Sequence, residues 1–322
     1  MRILITGVTG SVGPYLVDEL LHAEEDPELW GLSWGPCDPA ARARLERNVR
    51  VMECDVTDDE MLARALADSR PEIVYHLAAM SSVGASWSSP VAFLEVNAIG
   101  TARLFAALRR LDLRPRTAVV TSGEVYGRVE PSDLPLHEDA SLRPATPYGA
   151  SKAAQDLIAF QQAADGFPVV RLRPFNHLGP GQLEGFVASD FARQVAEAEA
   201  GLRPPRIAVG PLEPERDFTD VRDVVRAYRL AATGAPAGSV FNVCSGRPVP
   251  IRHLLDGLLA QATRSIEVVR DPELLRPVDV PVLFGDPSRL ERATGWRAEI
   301  PLESSLADLL AWWRERVAAG TG

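Results

Sequence analysis

Two side chains that could transfer a proton together lie four residues apart in the sequence. Tyr148 precedes Lys152 by about one helical turn, so a helix would place the phenol and the ammonium on the same face. A phenol with its ordinary pKa of about 10 is a poor acid at neutral pH, but a neighbouring ammonium favours the phenolate and lowers that pKa. Ser122 lies earlier in the chain, at the end of an apolar segment, where an open α/β sheet binds its ligands. This combination predicts a proton donor beside a polar hydroxyl.

A glycine-rich segment at residues 6–13 has the spacing of a phosphate-binding turn. It follows a predicted strand and precedes a predicted helix. Gly7 permits a tight turn, Gly10 lets a pyrophosphate approach the backbone, and Gly13 lets the helix pack closely on the strand. The helix N-terminus adds unpaired N–H groups and a partial positive charge. In this strand-turn-helix setting we predict a dinucleotide site formed by Gly7, Thr9, Gly10, Ser11, Val12 and Gly13.

The end of the second predicted strand leaves the choice between NADH and NADPH open. An acid there would bind the ribose 2′-hydroxyl and an arginine would accept a 2′-phosphate, but Ser33 and Trp34 occupy the position. Three charged side chains follow, either within reach of the ribose or on a solvated loop: Asp38, Arg42 and Arg44. Asp55, which precedes Val56 after the third predicted strand, is either an adenine-binding residue or a cap of a helix or turn.

Composition and charge restrict the class of protein. The chain of 322 residues carries 34 Lys and Arg against 44 Asp and Glu, a net charge of −10, and is 46% hydrophobic. These values are typical of a globular protein with one large domain or two smaller ones. The negative charge, without a basic block, argues against nucleic acid or an anionic membrane as a partner, whereas a small anionic ligand could still bind local cations.

Membrane, disulfide and metal signatures are lacking in the sequence. No segment reaches the roughly 18 consecutive apolar residues of a spanning helix, so we expect no membrane and a cytoplasmic protein. Three widely spaced cysteines fit a reducing compartment: Cys37, Cys54 and Cys244. The 5 histidines contain no pair four residues apart, so we expect no bound metal.

Short apolar segments alternate with segments of helical spacing over the first half of the chain. Because the apolar segments are hydrophobic throughout, they predict parallel strands buried on both faces. The expected fold class is α/β: a Rossmann-type doubly wound parallel sheet with a smaller C-terminal substrate-binding region. We predict a dinucleotide-binding domain over residues 1–174 that also takes up about 213–245, and a discontinuous substrate-binding region over 175–322.

Several further motifs accompany the glycine turn, Ser122, Tyr148 and Lys152. They are His76-Leu77-Ala78-Ala79, Asn97 with Gly100-Thr101, residues 173–182 (RPFNHLGPGQ), residues 216–223 (RDFTDVRD) and Arg276-Pro277. With them the chain resembles the extended short-chain dehydrogenase/reductase family, specifically its branch acting on nucleotide-activated sugars. The two longer runs are most similar to reductases of GDP-linked 4-keto-6-deoxyhexoses.

The resemblance implies a reaction. NADPH or NADH would reduce the C4 ketone of a GDP-4-keto-6-deoxyhexose, and the product would be GDP-D-rhamnose. Tyr148 would donate a proton to the developing alkoxide, and Ser122 would hydrogen-bond the same oxygen. Lys152 would keep Tyr148 acidic and bind the nicotinamide ribose. Asn97 would position Lys152.

The resemblance also implies two sets of ligand contacts and an assembly. The cofactor would contact the turn residues above together with Ser33, Trp34, Asp55, Val56, Leu77, Ala78, Ala79, Asn97, Thr121, Tyr148, Lys152 and Phe175. The GDP-linked substrate would contact Ser81, Ser122, Gly123, Glu124, Asn176, Arg216 and Arg276, the two arginines neutralising its diphosphate. The family implies a homodimer through the helices predicted at Pro90–Leu111 and Tyr148–Ala164.

Glu124 keeps a second reaction open. The 4,6-dehydratases of the branch have an acid-base at this position, which makes Glu124 a fourth candidate catalytic residue and GDP-mannose 4,6-dehydratase the first alternative. Against it, Gly123 occupies a position where such dehydratases carry a polar residue, and Trp34 and Gly35 replace the arginines of those that retain NADP. A nucleotide-sugar 4-epimerase would use the same phenol and ammonium while recycling its hydride. A binding protein without turnover would not need these groups.

Overall fold

The computed structural model describes residues 1–35, 37, 39–274 and 280–320. Asp38 and Arg276, for which the sequence suggests ligand contacts, lie outside the described residues. The strands are β1 (Arg2–Thr6), β2 (Glu28–Ser33), β3 (Val49–Glu53), β4 (Ile73–His76), β5 (Arg116–Val120), β6 (Val169–Pro174), β7 (Asn176–Leu178), β8 (Arg206–Val209), β9 (Glu215–Asp220), β10 (Val240–Val243), β11 (Pro248–Pro250), β12 (Glu267–Arg270) and β13 (Val282–Leu283).

The helices fall between these strands and after the last of them. They are α1 (Gly13–Ala23), α2 (Pro39–Leu45), α3 (Asp59–Ser69), α4 (Val83–Ser86), α5 (Pro90–Leu94), α6 (Gly100–Arg110), α7 (Pro147–Ala164), α8 (Val187–Glu199), α9 (Val221–Gly234), α10 (Ile251–Leu259), α11 (Ser288–Thr294) and α12 (Leu302–Ala318), with a π-helical turn at Glu95–Ile99. Short 3₁₀ turns lie at Gly123–Val125, Pro131–Asp133 and Pro272–Leu274.

Seven parallel strands form the main sheet in the order β10-β6-β5-β4-β1-β2-β3. β4 and β6 are buried along their whole length, as expected of strands covered on both faces. The strand order reverses between β1 and β4, and at such a point the carboxyl ends of the strands leave a crevice for ligands. The α/β doubly wound fold predicted from the sequence is confirmed.

Two hydrophobic cores cover the main sheet. One contains Leu16 and Leu20 of α1 together with buried residues of α9 and Leu290 of α11. The other contains Leu62 of α3, Leu104 of α6 and residues of β4, β5 and β6. Each helix buries its apolar stripe against the sheet, which is where most helix stability in a protein comes from.

A smaller region lies on the carboxyl side of the main sheet. Strand β9 pairs with β7 and β13 in parallel and with β11 in antiparallel orientation, and β8 pairs with β12. Helices α8, α10 and α12 share a separate core. From the range of about 213–245, α9 and β10 pack with the main sheet, whereas β9 lies in the second sheet. Leu290 and Trp296 return from the C-terminal part to the main core.

The segment predicted as one helix at Pro90–Leu111 is interrupted. The π-helical turn separates α5 from α6, and the N–H of Gly100 bonds the carbonyl of Glu95, five residues back. The hydroxyl of Thr101 donates to the carbonyl of Asn97 at 2.7 Å. By length and composition, Pro90–Arg110 is apolar enough to cross a membrane, but 50% of the tested window is buried inside the fold.

Helix α7 is fixed to the main sheet by a buried ion-pair cluster. Its first residue is Pro147, and the hydroxyl of Thr146 accepts the N–H of Gly149 at 2.9 Å, which caps the helix. Further along, the fully buried carboxylate of Asp156 accepts from Arg171 at 2.7 Å and from Arg173 at 2.8 Å. Burial raises the pKa of Asp156, but the two guanidiniums outweigh burial and hold it below its usual value.

We expect Asp156→Ala to lower the free energy of unfolding by about 3–5 kcal/mol, because it leaves two buried guanidiniums without their partner. The matched control is Asp165→Ala on the same chain segment. Asp165 pairs with Arg109 at 2.6 Å with both side chains about half exposed, and such a pair contributes roughly 0–1 kcal/mol. Urea denaturation of both variants measures the difference. Equal losses would show that the buried cluster does not hold α7 to the sheet.

Candidate active site

A large cleft opens at the carboxyl ends of β1 and β4, between the main sheet and the smaller region. Its volume is about 2160 Å³, which exceeds the roughly 300–1,000 Å³ of a pocket for one small molecule. The predicted residues that line it are Gly7, Thr9, Gly10, Ser11, Val12, Gly13, Trp34, Asp55, Val56, Leu77, Ala78, Ala79, Ser81, Thr121, Ser122, Gly123, Glu124, Tyr148, Lys152, Phe175, Asn176 and Arg216. The fold therefore brings the glycine turn, the phenol and Arg216 to one cavity that has room for two ligands.

The glycine turn is shaped so that a side chain cannot enter it. Gly7 has φ +69°, and a Cβ there would lie 2.9 Å from the backbone of Ala78. A Cβ on Gly13 would lie 2.1 Å from the carbonyl oxygen of Val8, and one on Gly10 would lie 3.3 Å from the carbonyl of Gly7. Bare backbone therefore faces the cleft.

The N-terminus of α1 fits a phosphate ligand. The helix begins at Gly13, directly after this turn, and Val12 at its cap position provides no side-chain hydrogen bond. A helix start without a capping side chain leaves amide donors and the positive end of the dipole for an anion. The turn and the helix together fit the pyrophosphate of a dinucleotide.

Ser33 does not line the cleft as the sequence suggested. It is buried, and its hydroxyl bonds the hydroxyl of Thr9 at 2.8 Å, so it supports the turn from behind. Trp34, the next residue, is 55% exposed and lines the cleft with Arg44. Arg42 instead pairs with Glu46 at 2.8 Å. Successive side chains of a strand point to opposite faces of the sheet, so Ser33 and Trp34 face different surroundings.

Asp55 makes structural hydrogen bonds at the wall of the cleft. It lines the cleft beside Val56. Its Oδ1 atom accepts both the N–H of Thr57 at 2.8 Å and the hydroxyl of Thr57 at 2.7 Å, so it also closes a turn before α3. Asp58, not Asp55, caps α3, by accepting the N–H groups of Glu60 and Met61 at 2.9 Å.

Tyr148 is held as a protonated phenol. Only 8% of the residue is exposed, and its ring meets Phe93 edge to face at 6.3 Å. Burial raises the pKa of Tyr148 to about 12, the hydrogen bond with Ser122 partly opposes this, and the charge of Glu124 adds to it. The sequence prediction that the ammonium of Lys152 lowers this pKa was wrong for the chain alone, because burial is the dominant effect.

Lys152 points into the protein beside the cleft. Its Nζ donates to the carbonyl of Val120 at 3.0 Å and to the side-chain oxygen of Gln155 at 2.8 Å, which leaves a third N–H for the cleft that Lys152 lines. Burial lowers the pKa of Lys152 to about 7. Burial therefore disfavours the ammonium, whereas hydrogen bonds to these two acceptors favour it.

Asn97, which the family resemblance predicts to position Lys152, bonds Met80 and Ser151, whereas the Nζ of Lys152 bonds Val120 and Gln155. Asn97 is fully buried in the π-helical turn. Its side chain accepts the N–H of Met80 at 2.8 Å and donates to the carbonyl of Met80 at 3.0 Å and to Ser151 at 2.9 Å. Asn97 thus fixes the loop after β4 to α7 instead of holding the lysine directly.

Phe175 fills the space beside Ser122. A Cβ on Gly123 would lie 3.0 Å from the ring of Phe175, and one on Gly285 would lie 2.7 Å from it. The same ring stacks on Tyr126 at 6.2 Å. Two glycines and a tyrosine therefore hold this ring in the cleft wall, and no side chain fits at position 123 without moving it.

The far end of the cleft belongs to the smaller region. Arg216 on β9 is half-buried there and donates to the carbonyl of Glu215 at 2.8 Å, and Asn176 on β7 is exposed. Polar and aromatic residues that the sequence analysis did not single out as ligand contacts also line the cleft: Tyr15, His177, Gln182, Arg193, Arg203, Tyr228, Trp312 and Arg316. Five of them lie on helices, where the helical spacing indicated only packing: Tyr15, Arg193, Tyr228, Trp312 and Arg316. His177 and Gln182 belong to the run at residues 173–182 that carries the family resemblance, which was the signal for this part of the cleft.

The remaining groups that could bear on chemistry are possible metal ligands and the cysteine thiols. Within the part of the chain that the structure describes, no cluster of three or more His, Cys, Asp or Glu side chains is arranged to hold a metal ion. Cys37, Cys54 and Cys244 are free thiols, and burial raises the pKa of Cys54 to about 12.

Comparison with known proteins identifies the family. The family model described as GDP-mannose 4,6 dehydratase matches residues 4–309. The chain belongs to this family. The resemblance found in the sequence is thereby confirmed, and members of the family share the fold described above.

Individual relatives cover the chain almost completely. GDP-6-deoxy-D-mannose reductase from Pseudomonas aeruginosa is 34% identical, over 98% of this chain and 98% of that protein. UDP-glucose 4-epimerase from Mycolicibacterium smegmatis is 30% identical, over 98% and 99%. The structure of RMD from Pseudomonas aeruginosa complexed with NADPH has a TM-score of 0.85 and 33% identity, over 98% of this chain and 100% of that one. The family therefore includes relatives with different named activities.

We expect Gly13→Ala to weaken binding of NADPH or NADH by about 10- to 100-fold, because the new Cβ must displace the turn or α1. The control is Gly234→Ala at the end of α9, where nothing lies within 4 Å of the added Cβ. Titration followed by the fluorescence of the reduced dinucleotide measures both affinities, with thermal unfolding of each variant beside it. Unchanged affinity in a folded Gly13→Ala variant would contradict the assignment of the turn.

Proposed function

We propose that this chain uses NADPH or NADH to reduce the C4 ketone of a GDP-4-keto-6-deoxyhexose, with GDP-D-rhamnose (GDP-6-deoxy-D-mannose) as the product. The full-length similarity to GDP-6-deoxy-D-mannose reductase and to RMD complexed with NADPH supports this reaction. The observation that carries it is the cleft itself, whose lining joins the glycine turn, the buried phenol of Tyr148 beside Ser122, and Arg216.

Tyr148 provides the proton in this reaction. A nicotinamide dinucleotide, when bound, supplies the hydride. Because burial holds the pKa of Tyr148 at about 12, the phenol keeps its proton at neutral pH until an alkoxide forms on the substrate. Ser122, which lines the cleft together with Tyr148, hydrogen-bonds the same oxygen and stabilises the charge that develops there. Lys152 uses its third N–H toward the ribose and stabilises the phenolate left on Tyr148.

The two ends of the cleft bind the two ligands. The bare glycine turn and the N-terminus of α1 hold the pyrophosphate of the dinucleotide. Arg216 and Asn176 in the smaller region hold the diphosphate and sugar of the substrate, since a guanidinium matches phosphate oxygens in pairs. Each ligand therefore contacts a different layer of the fold, and the reacting atoms meet at Tyr148.

Glu124 is the observation that favours a second candidate, a GDP-mannose 4,6-dehydratase. Its half-buried carboxylate lines the cleft and its charge acts on Tyr148. One feature supports the reductase over this candidate. The ring of Phe175 occupies the space in which a polar side chain at position 123 would lie.

Stoichiometry separates the three reactions. We expect one dinucleotide oxidised per keto-sugar consumed when the enzyme is incubated with GDP-4-keto-6-deoxymannose and each reduced dinucleotide separately, with GDP-D-rhamnose identified by product NMR. Tyr148→Phe should bind the dinucleotide as before and lower kcat by about 10²–10⁴. Conversion of GDP-mannose without added dinucleotide would support the dehydratase instead. Full turnover by Tyr148→Phe would remove the proposed acid.

We also propose a homodimer through α5, α6 and α7. Exposed apolar side chains lie on α5, on the π-helical turn between α5 and α6, and on α7, which packs against all three of these elements: Val91, Leu94, Ile99, Leu157 and Phe160. Phe160 is 54% and Val91 65% exposed, whereas most large apolar residues of the chain are buried. A second copy that covers this face would remove it from water. The three free thiols fit a reducing compartment such as the cytoplasm.

We expect Phe160→Arg to weaken self-association by about 10- to 100-fold, because burial of a phenylalanine contributes roughly 1.5–3 kcal/mol. The control is Leu202→Arg, since Leu202 is 70% exposed and lies after α8, away from this face. Sedimentation velocity over a concentration series measures the association of both variants and of the unaltered chain. A dimer that survives Phe160→Arg but not Leu202→Arg would place the interface elsewhere.

A further inference from the structure

Lys152 is the only lysine among the 322 residues, and it ends a chain of buried hydrogen bonds. Its Nζ donates to Oε1 of Gln155 at 2.8 Å, and Nε2 of Gln155 donates to the hydroxyl of Thr101 at 2.9 Å. The same hydroxyl meets Nε2 of His76 at 2.9 Å, and Nδ1 of His76 meets the hydroxyl of Thr6 at 2.8 Å. Thr6, His76, Thr101 and Gln155 are each 0% exposed.

The hydrogen atoms of this chain have one consistent assignment. The hydroxyl of Thr101 uses its single hydrogen toward the carbonyl of Asn97 at 2.7 Å, so it accepts from both Gln155 and His76. His76 therefore carries its hydrogen on Nε2, and its Nδ1 accepts from Thr6. The hydroxyl of Thr6 in turn accepts the N–H of Ala78 at 3.0 Å. The hydroxyls of Thr6 and Thr101 and the ring N–H of His76 each have an acceptor.

This assignment fixes the orientation of the Gln155 amide. Because Thr101 can only accept, Gln155 must turn its NH₂ toward Thr101 and its oxygen toward Lys152. An amide cannot pass a proton along, so the chain is not a proton path. It serves instead to hold an acceptor against the ammonium of Lys152.

We propose that Gln155 is a positioning residue for Lys152: it keeps the buried lysine protonated and directs its third N–H to the cleft. Thr101 acts behind it by holding the amide in the one orientation that offers oxygen to the lysine. Hydrogen bonding to the charged form of a group favours that form, which opposes the burial that lowers the pKa of Lys152 to about 7. This role in turnover rests on the proposed function, but the state of the lysine can be measured without substrate.

The other titratable groups around Lys152 do not take over this role. On the surrounding elements they are Tyr148, His76, Glu124, and Asp156 with its partners Arg171 and Arg173. His76 has its pKa lowered to about 3 by burial and by the charge of Lys152, and the bond to Thr6 is lost if it is protonated. Asp156 is engaged by the two guanidiniums. The charge state of Lys152 is therefore the one that Gln155 controls directly.

Lysine labelled with ¹³C and ¹⁵N tests the proposal in the intact protein, because Lys152 alone gives a side-chain signal. We expect one Cε resonance whose shift titrates near pH 7, with and without oxidised dinucleotide. Gln155→Met should lower the pKa of Lys152 by about 1 to 2, since a hydrogen bond to a charged group is lost while the side-chain volume is kept. Gln155→Glu should raise it by a similar amount, because a carboxylate replaces the neutral oxygen.

The activity profile should follow the lysine. If Lys152 must be charged for turnover, the alkaline limb of kcat/KM moves to lower pH in Gln155→Met and to higher pH in Gln155→Glu, by the same amounts as the NMR midpoints. If Gln155 had only a structural role, both variants would be less stable to unfolding, but their Lys152 midpoints would not shift in opposite directions. The control is Asn242→Leu, which removes another fully buried amide with both of its atoms bonded, to Leu136 and Tyr126.

Thr101→Val provides a second variant in case the changes at Gln155 prevent folding. It leaves Gln155 in place but removes the acceptor that orients its amide, so the pKa of Lys152 should fall by less than in Gln155→Met. Equal midpoints in the unaltered chain and in all folded variants, or shifts in one common direction for Met and Glu, would overturn the proposal. The NMR titration contains no sugar substrate, so it does not depend on the proposed reaction. If only the proposed reaction is wrong, the NMR midpoints still shift in the variants, but no activity is found with the keto-sugar.

Discussion

The bond between α7 and the main sheet sets the geometry on which the cleft depends. Both Tyr148 and Lys152 lie on α7, so the position of this one helix decides where a proton can be delivered. Asp156 fixes the helix through two guanidiniums of β6, and the hydroxyl of Thr121 adds a further bond at 3.2 Å. A buried carboxylate is tolerated only when such partners are all in place. One arrangement of helix and sheet is therefore strongly preferred over its neighbours.

Burial acts in opposite directions on the two ionisable groups of the cleft. It raises the pKa of Tyr148 and lowers that of Lys152, so it pushes both toward their neutral forms. For the phenol this suits a proton donor. For the lysine it removes the charge that stabilises a phenolate, which makes the acceptors around Nζ important. Burial of this face of α7 therefore keeps Tyr148 protonated, but it makes hydrogen-bond acceptors necessary beside Lys152.

Local patterns in the sequence predict some features of this site well and others poorly. The glycine turn and the pair Tyr148 and Lys152 are each contained within one turn or one helix, so spacing alone is sufficient. The chain from Lys152 to Thr6 is different, because it joins α7, α6, β4 and β1, whose relative register no local pattern encodes. The fit of Phe175 between two glycines likewise depends on loops that are distant in sequence. Ser33 is another such case, because its hydroxyl is buried against Thr9, which lies 24 residues earlier in the sequence.

The π-helical turn at Glu95–Ile99 restricts the number of residues in this segment more strongly than it restricts their identity. A turn closed five residues back holds one residue more than an ordinary helical turn, and each residue corresponds to about 100° of rotation. Loss of one residue here would rotate α5 against α6 by that angle. The stripe of α6 that contains Leu104 and Leu108 would then leave its core, or α5 would leave α7. Side-chain replacements along this segment should be absorbed far more easily than single-residue insertions or deletions.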